Sequence, residues 1–313
     1  MFTFRSFLYI FISSALLIWI SNKIFAPPNG PAPIINSPAG SISGTVMKSK
    51  HGRSFAAYTS IPFAKPPLGN LRFKKPEPML ENAWTGTRDG SQTIPVCFQM
   101  SPNPWLMKHL GQEDCLYLNV YVPQVDKVPK DGFPVMAWIH GGGFVAGDST
   151  DMLYGPQSLM DKDVILVKMN YRLGIMGFLS LGNDDFPGNI GLWDQVAGLK
   201  WIQKNIGAFN GNPGKVTIFG ESAGAWCINY LLVSKHSKGL FHAAIVQSGA
   251  LDQGTLKTEM NMHIPSLHSK YVKKVGCESS SSGSVGKCLQ NLSLDQLYEH
   301  YFMFNDPNCN SNS

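Results

Sequence analysis

The chain of 313 residues carries 26 Lys and Arg, 21 Asp and Glu and a net charge of +5, with 43% apolar and only 15% charged residues. A disordered protein would need more charge and fewer aromatic residues, so this composition predicts one large folded domain or two small ones. A chain of this length can bury a hydrophobic core large enough to fold without a metal. Six cysteines are too few for a disulfide scaffold. The positive charge forms no basic runs and gives no reason to expect nucleic-acid binding.

The first 26 residues differ from the rest of the chain. Arg5 precedes an apolar run from Phe7 to Ile20 that two serines interrupt. One positive charge followed by about fourteen apolar residues is typical of a secretory signal peptide, whereas a transmembrane helix usually needs about twenty. Residues 1–26 are therefore either a cleaved signal or a signal-anchor held in the membrane through residues 7–25, with a buried N-terminal helix as a third alternative. Both main alternatives place the protein in the secretory pathway, secreted or membrane-anchored, where disulfides persist.

The next segment, residues 27–39, is rich in proline. Proline favours extended, semi-rigid backbone, so this segment is expected to be a tether between the N-terminus and the folded body. The body is expected over residues 40–304. Residues 305–313 (NDPNCNSNS) form a polar tail that does not resemble a closing helix.

From about residue 134 onward, strand-like and helix-like segments alternate. Short apolar runs predict strands, and apolar residues at helical spacing predict helices. The strands are expected at Pro134–Ile139, Val164–Asn170, Val216–Phe219 and Ala243–Gln247, and the helices at Gly191–Ile206 and Ala223–Ser234. This order predicts a mostly parallel central sheet with helices on both faces. Residues 40–125 have more the character of strands joined by turns.

The segment Gly220-Glu221-Ser222-Ala223-Gly224 fits the pattern G-x-S-x-G. The pattern fixes only three positions, but here a predicted strand precedes it and a predicted helix follows, as the strained turn of a nucleophile elbow requires. The helix N-terminus behind Ser222 favours developing negative charge. Ser222 is the candidate nucleophile, and the alternative is a glycine-rich turn with an incidental serine.

A second motif, His140-Gly141-Gly142-Gly143-Phe144, follows the strand that ends at Ile139. Consecutive glycines let backbone N–H groups turn toward an oxyanion, where acyl transfer develops charge. A loop of this type accompanies the elbow in lipases and esterases. The expected oxyanion donors are the N–H groups of Gly142, Gly143 and Ala223, and the alternative is a flexible loop at a strand end. His140 lies inside this loop and before the serine, so it is expected to be structural.

These motifs resemble those of type-B carboxylesterases, a family that includes cholinesterases and neuroligins. Further stretches similar to the family are Glu113–Val120, Phe209–Gly224, Ile61–Pro67, Asn170–Gly174 and Pro187–Asn189. The likeness runs from about residue 40 to about residue 300. It implies an α/β-hydrolase fold and an activity on small-molecule esters. The sequence contains no metal or nucleotide motif, so no cofactor is expected.

The resemblance also implies structural features outside the two motifs. These are the disulfides Cys97–Cys115 and Cys277–Cys288 and the internal ion pairs Arg72–Glu113 and Arg172–Asp194. Cys227 is expected to be a small buried apolar residue of a core helix. The triplet Asn291-Leu292-Ser293 is a glycosylation sequon, with Asn291 as the acceptor.

The catalytic acid and histidine of the family would lie beyond Ser313. We therefore expect a chain truncated after the nucleophile half of the fold, with Ala243–Gln247 at an uncovered sheet edge. Glu278 and His300 follow the serine in the right order, but no strand precedes Glu278 to present it. The expected function is a serine carboxylic-ester hydrolase in a full-length form. The alternatives are a non-catalytic, neuroligin-like cell-surface binding protein and a truncated pseudoenzyme. The natural ester and the oligomeric state cannot be read from the sequence.

Overall fold

The computed structural model describes residues 30–101, 109–249, 264–278 and 282–299. The strands are β1 (Pro31–Ser37), β2 (Gly40–Lys48), β3 (Ser54–Pro62), β4 (Thr87–Asp89), β5 (Gln99–Met100), β6 (His109–Leu110), β7 (Tyr117–Pro123), β8 (Phe133–Ile139), β9 (Ile165–Met169), β10 (Gly211–Glu221) and β11 (Ala243–Gln247). The α-helices are α1 (Gly174–Phe178), α2 (Ile190–Asn205), α3 (Ala223–Val233), α4 (Ile264–Lys274), α5 (Ser282–Asn291) and α6 (Leu294–Glu299). The predicted strands and helices between residues 134 and 247 are thereby confirmed.

The main sheet is mixed rather than mostly parallel. Its strands follow the order β1-β2-β3-β7-β9-β8-β10-β11, with β4 beside β2. Strands β9, β8, β10 and β11 are parallel neighbours, whereas β1, β2, β3, β7 and β9 pair antiparallel. Parallel strands need long crossovers, which α2 and α3 supply, and the strand-and-turn segment at residues 40–125 builds the antiparallel half. The prediction of a parallel sheet is correct only for the second half.

The tether predicted at residues 27–39 is wrong for Pro31–Ser37, which form strand β1 at the edge of the sheet. Strand β1 pairs antiparallel with β2, and its register shifts between Ala32 and Ile35. Proline fits this position because an edge strand tolerates a residue without an N–H donor. The extended backbone that suggested a tether is therefore used here as a strand.

The two ion pairs that the resemblance implies are present and join separate segments of the chain. The guanidinium of Arg172 donates to both carboxylate oxygens of Asp194 at 2.8 and 2.7 Å, and both side chains are buried. Arg72 makes a similar two-bond contact with Glu113 at 2.6 Å. It also donates to the backbone carbonyl oxygens of residues 289, 290 and 292, and so holds the end of α5 against the domain.

Both implied disulfides, Cys97–Cys115 and Cys277–Cys288, are present. Cys227 is a free, fully buried cysteine, and burial raises the pKa of its thiol to about 12. A thiol that stays protonated there acts as a small apolar residue, as predicted.

The predicted signal or signal-anchor at residues 1–26 and the polar tail at residues 305–313 lie outside the described residues. Within the described ranges, no helix combines the length and apolar character needed to cross a membrane.

We predict that Asp194→Asn destabilises the fold by about 3–5 kcal/mol, because the buried Arg172 guanidinium would lose its compensating charge. Urea unfolding followed by circular dichroism measures the free energy of unfolding. The matched control is Glu77→Gln, which breaks an ion pair with Lys65 whose side chains are 50% and 59% exposed. An exposed pair contributes at most about 1 kcal/mol. Equal losses in the two variants would contradict the importance of the buried pair.

Candidate active site

Ser222 occupies a strained turn between β10, which ends at Glu221, and α3, which begins at Ala223. Its backbone angles are φ 55° and ψ −124°, a combination that non-glycine residues rarely adopt. The turn is held by the Ser222 N–H, which donates to the Gln247 carbonyl of β11 at 2.9 Å. The Trp226 N–H donates to the Ser222 carbonyl at 3.1 Å. This is the geometry of the predicted nucleophile elbow.

The glycines on either side of Ser222 permit a backbone-to-backbone contact with the end of β8. A Cβ atom on Gly220 would lie 2.5 Å from the Ile139 carbonyl oxygen, and one on Gly224 would lie 2.1 Å from the same atom. A Cβ atom on Gly141 would lie 3.1 Å from the Cβ atom of Ser222. The glycine loop after β8 therefore lies directly beside the candidate nucleophile.

The candidate oxyanion donors are free to bind a ligand. Gly142 and Gly143 are exposed, and their N–H groups donate no hydrogen bond within the described part of the chain. Ala223 is the first residue of α3, so its N–H has no partner inside the helix. Unpaired donors next to a serine in a strained turn are what stabilisation of a tetrahedral oxyanion requires.

His140 is a buried structural residue of the loop. Burial lowers the pKa of its imidazole to about 4, so the ring is neutral at physiological pH. Its Nδ1 donates to the Gly141 carbonyl oxygen at 2.9 Å, and its ring stacks on Tyr171 at 4.4 Å. The Tyr171 hydroxyl donates to the His140 carbonyl oxygen at 2.9 Å. The buried His140 ring and Tyr171 thus fix the start of the glycine loop from the protein interior.

The described residues do not assemble a base and an acid around Ser222. Across the described ranges, no histidine or carboxylate side chain is hydrogen-bonded to the Ser222 hydroxyl. The described histidines contact other groups, namely Asp161, Asp295, Gly141, Trp193, Val216 and Ser180. Glu278 forms an ion pair with Lys273 at 3.5 Å. The sequence alternative of Glu278 with His300 cannot be placed, because His300 lies outside the described residues.

Sequence reasoning missed three side chains that bind the glycine loop or the residues just after it. Gln99 binds Gly147, Asn170 binds Ser149, and Tyr171 binds His140. Asn170 and Tyr171 begin one of the stretches that resemble the family, and that is the signal from which a role could have been suspected. Gln99 carried no such signal, because its partner Gly147 is 48 residues away in the chain.

The chain is similar to known proteins over most of its length. Residues 31–311 match the model of the carboxylesterase family. The chain belongs to the carboxylesterase family. It is 44% identical over 273 residues to juvenile hormone esterase of Tribolium castaneum, covering 85% of this chain and 45% of that protein. It is 38% identical to carboxylesterase 1D of Rattus norvegicus, covering 90% of this chain and 51% of that protein.

The fold of this carboxylesterase-family chain is also found in a solved structure. The crystal structure of juvenile hormone esterase from Manduca sexta, with OTFP covalently attached, superposes with a TM-score of 0.76 at 35% identity. The match covers 85% of this chain and 50% of the solved chain. The predicted α/β-hydrolase fold is thereby confirmed. The chain spans about half the length of these relatives.

We predict that Gly224→Ala destabilises the protein by about 1–3 kcal/mol, because its methyl group would overlap the Ile139 carbonyl and the backbone would have to move. Thermal unfolding measures the change. Gly207→Ala is the matched control, since a Cβ atom there meets no atom within 4 Å. A control variant that unfolds as early as Gly224→Ala would show that the contact is unimportant.

We predict that His140→Gln flattens the pH dependence of stability between about pH 6.5 and pH 4. The folded-state pKa of about 4 lies below the ordinary value of 6.5, so the unfolded chain binds the proton first. Stability is therefore lost as the pH falls, by up to about 3 kcal/mol for this group. Urea unfolding of the wild type and His140→Gln at several pH values gives the difference between their free energies of unfolding. Contributions from other titrating groups cancel in this difference. A difference that stays constant from pH 7 to pH 4.5 would contradict the prediction.

Proposed function

We propose that this chain carries the nucleophile half of a serine carboxylic-ester hydrolase whose substrates are small-molecule esters. The observation that carries the proposal is the free N–H groups of Gly142 and Gly143 beside Ser222 in its strained turn. The Ser222 Oγ attacks the carbonyl carbon of the ester, and the carbonyl oxygen becomes an oxyanion. The N–H groups of Gly142, Gly143 and Ala223 stabilise that charge. The alcohol leaves, and water then hydrolyses the acyl-enzyme.

The reaction also needs a base to remove the serine proton and an acid to orient that base. We propose that the base and the acid come from residues outside the described ranges, in a protein as long as its relatives. The described residues contribute the nucleophile and the oxyanion donors only. A site without base and acid keeps only the catalysis that the oxyanion hole and binding provide, roughly 10³–10⁴-fold over water in serine proteases.

The secretory pathway is the proposed location, either as a secreted or as a membrane-anchored protein. Two disulfides support it, because disulfides persist in oxidising compartments. Asn291 is exposed at the end of α5, so its side chain is accessible to a glycan. Its glycosylation belongs to the same proposal, and a mass shift on treatment with an endoglycosidase would test it.

We predict that the native protein reacts covalently with a fluorophosphonate probe and that Ser222→Ala abolishes this labelling. Ser234→Ala, at the other end of α3, is the matched control and should label like the wild type. Labelling is measured by in-gel fluorescence, and peptide mapping of the labelled protein locates the adduct. A wild type that does not label, or a Ser222→Ala variant that labels equally, would contradict the proposed function.

A further inference from the structure

We propose that Gln99 is a positioning residue for the oxyanion loop, defined here as residues 140–147. It would act by tying the end of this loop to the Cys97–Cys115 disulfide, so that the N–H groups of Gly142 and Gly143 stay aimed at one point. The inference rests on the proposed function, because it concerns the same site. Gln99 itself is buried and is not expected to touch the substrate.

The carboxamide of Gln99 makes a reciprocal pair of hydrogen bonds with one residue of the loop. Its Oε1 accepts from the Gly147 N–H at 2.8 Å, and its Nε2 donates to the Gly147 carbonyl oxygen at 2.8 Å. The same Nε2 donates to the Cys97 carbonyl oxygen at 3.0 Å. Gln99 is only 4% exposed. A buried amide with its oxygen and both N–H groups engaged has one orientation, and it holds Gly147 in that orientation.

A second carboxamide strengthens the same connection. The Asn170 Oδ1 accepts from the Ser149 N–H at 3.0 Å. Its Nδ2 donates to the carbonyl oxygens of Pro95 at 2.6 Å and Cys115 at 3.1 Å. The chain that follows the oxyanion loop is thus bound to segments at both cysteines. Because the Cys97–Cys115 disulfide joins these segments, Gln99 and Asn170 tie the loop and the chain after it to the same cross-linked part of the protein.

The constraint on Gly147 reaches the oxyanion donors through a tight turn. The Gly142 carbonyl oxygen accepts from the N–H groups of Val145 at 3.1 Å and Ala146 at 3.0 Å. Gly142 has a φ of 105°, and a Cβ atom there would lie 2.0 Å from the Ala146 carbonyl oxygen. The Gly142 backbone therefore packs against Ala146, which directly precedes Gly147, the residue that Gln99 binds. Releasing Gly147 would release the turn that orients the Gly142 and Gly143 N–H groups.

Such a role predicts a defect in transition-state stabilisation rather than in substrate binding. Removal of one oxyanion donor costs roughly 10²–10³-fold in kcat in a serine protease. A loop that is loosened without losing its donors should cost less, on the order of tenfold. A merely structural role would lower the melting temperature and leave the kinetics of the folded protein unchanged.

The test uses the native protein with Gln99→Met, which keeps the shape of the side chain and removes its hydrogen bonds. The control is Gln112→Met, an exposed residue of the same disulfide loop whose amide donates to the Asp114 carbonyl at 2.7 Å. We expect Gln99→Met to label with fluorophosphonate about tenfold more slowly and to lower kcat for a test ester with little change in KM. Gln112→Met should match the wild type.

A second variant and a second readout keep the test decisive if Gln99→Met folds poorly. Gln99→Leu also removes all three hydrogen bonds but has a different side-chain shape, so its labelling rate should fall as in Gln99→Met. Hydrogen exchange of the amides at residues 141–147 should be faster in both Gln99 variants than in Gln112→Met. That measurement needs no activity.

The possible outcomes separate the two proposals. A wild type that does not label overturns the proposed function, and the exchange data then still test the positioning role. Labelling of Gln99→Met at the wild-type rate, or exchange at residues 141–147 unchanged in both Gln99 variants, overturns the inference about Gln99.

Discussion

The site depends on one close contact, in which the end of β8 and the elbow after β10 meet backbone to backbone. The Ile139 carbonyl oxygen lies only 2.5 Å from the position of a Cβ atom on Gly220 and 2.1 Å from that of a Cβ atom on Gly224, too close for any side chain there. The contact is possible because β8 and β10 are parallel neighbours with Ile139 in register with Gly220. Parallel strands end at the same edge, so the loops that follow them converge. The sheet therefore brings the proposed nucleophile and the proposed oxyanion donors together through backbone contacts.

The electrostatics of the loop follow from its burial on one side and exposure on the other. His140 faces the protein and is neutral, since burial disfavours the imidazolium form. The carbonyl oxygens of His140 and Gly142 accept from Tyr171 and from the turn, whereas the N–H groups of Gly142 and Gly143 have no partner among the described residues. An oxyanion there would be stabilised by oriented dipoles and not by a fixed charge. Such dipoles need no reorganisation during the reaction, which is why the rigidity of the loop matters.

The sequence predicts what consecutive residues encode. The elbow and the glycine loop are each contained in five residues, and the strands β8 to β11 are short apolar runs, so all were recognisable. The antiparallel half was harder, because its pairings join distant segments and the prolines of β1 suggest a tether as readily as an edge strand. The role of Gln99 was invisible for the same reason, since its partner Gly147 lies 48 positions away. Asn170 stood in a stretch that resembles the family, but its contact with Pro95 spans 75 positions and could not be read from the sequence.

The proposed nucleophile is held in place by elements that all lie within the described residues. Strand β11 and helix α3 both hold the elbow, because the Ser222 N–H donates to Gln247 of β11 and the Ser222 carbonyl accepts from Trp226 of α3. The outer side of this support is apolar and open within the described residues: Ile245 of β11 is 44% exposed, and Val233 at the end of α3 is 85% exposed. A further parallel strand beside β11 would end at the same edge of the sheet as the elbow. A base presented at the end of such a strand would lie at the same sheet edge as Ser222, so the sheet topology favours that edge as the place where the proposed catalytic site is completed.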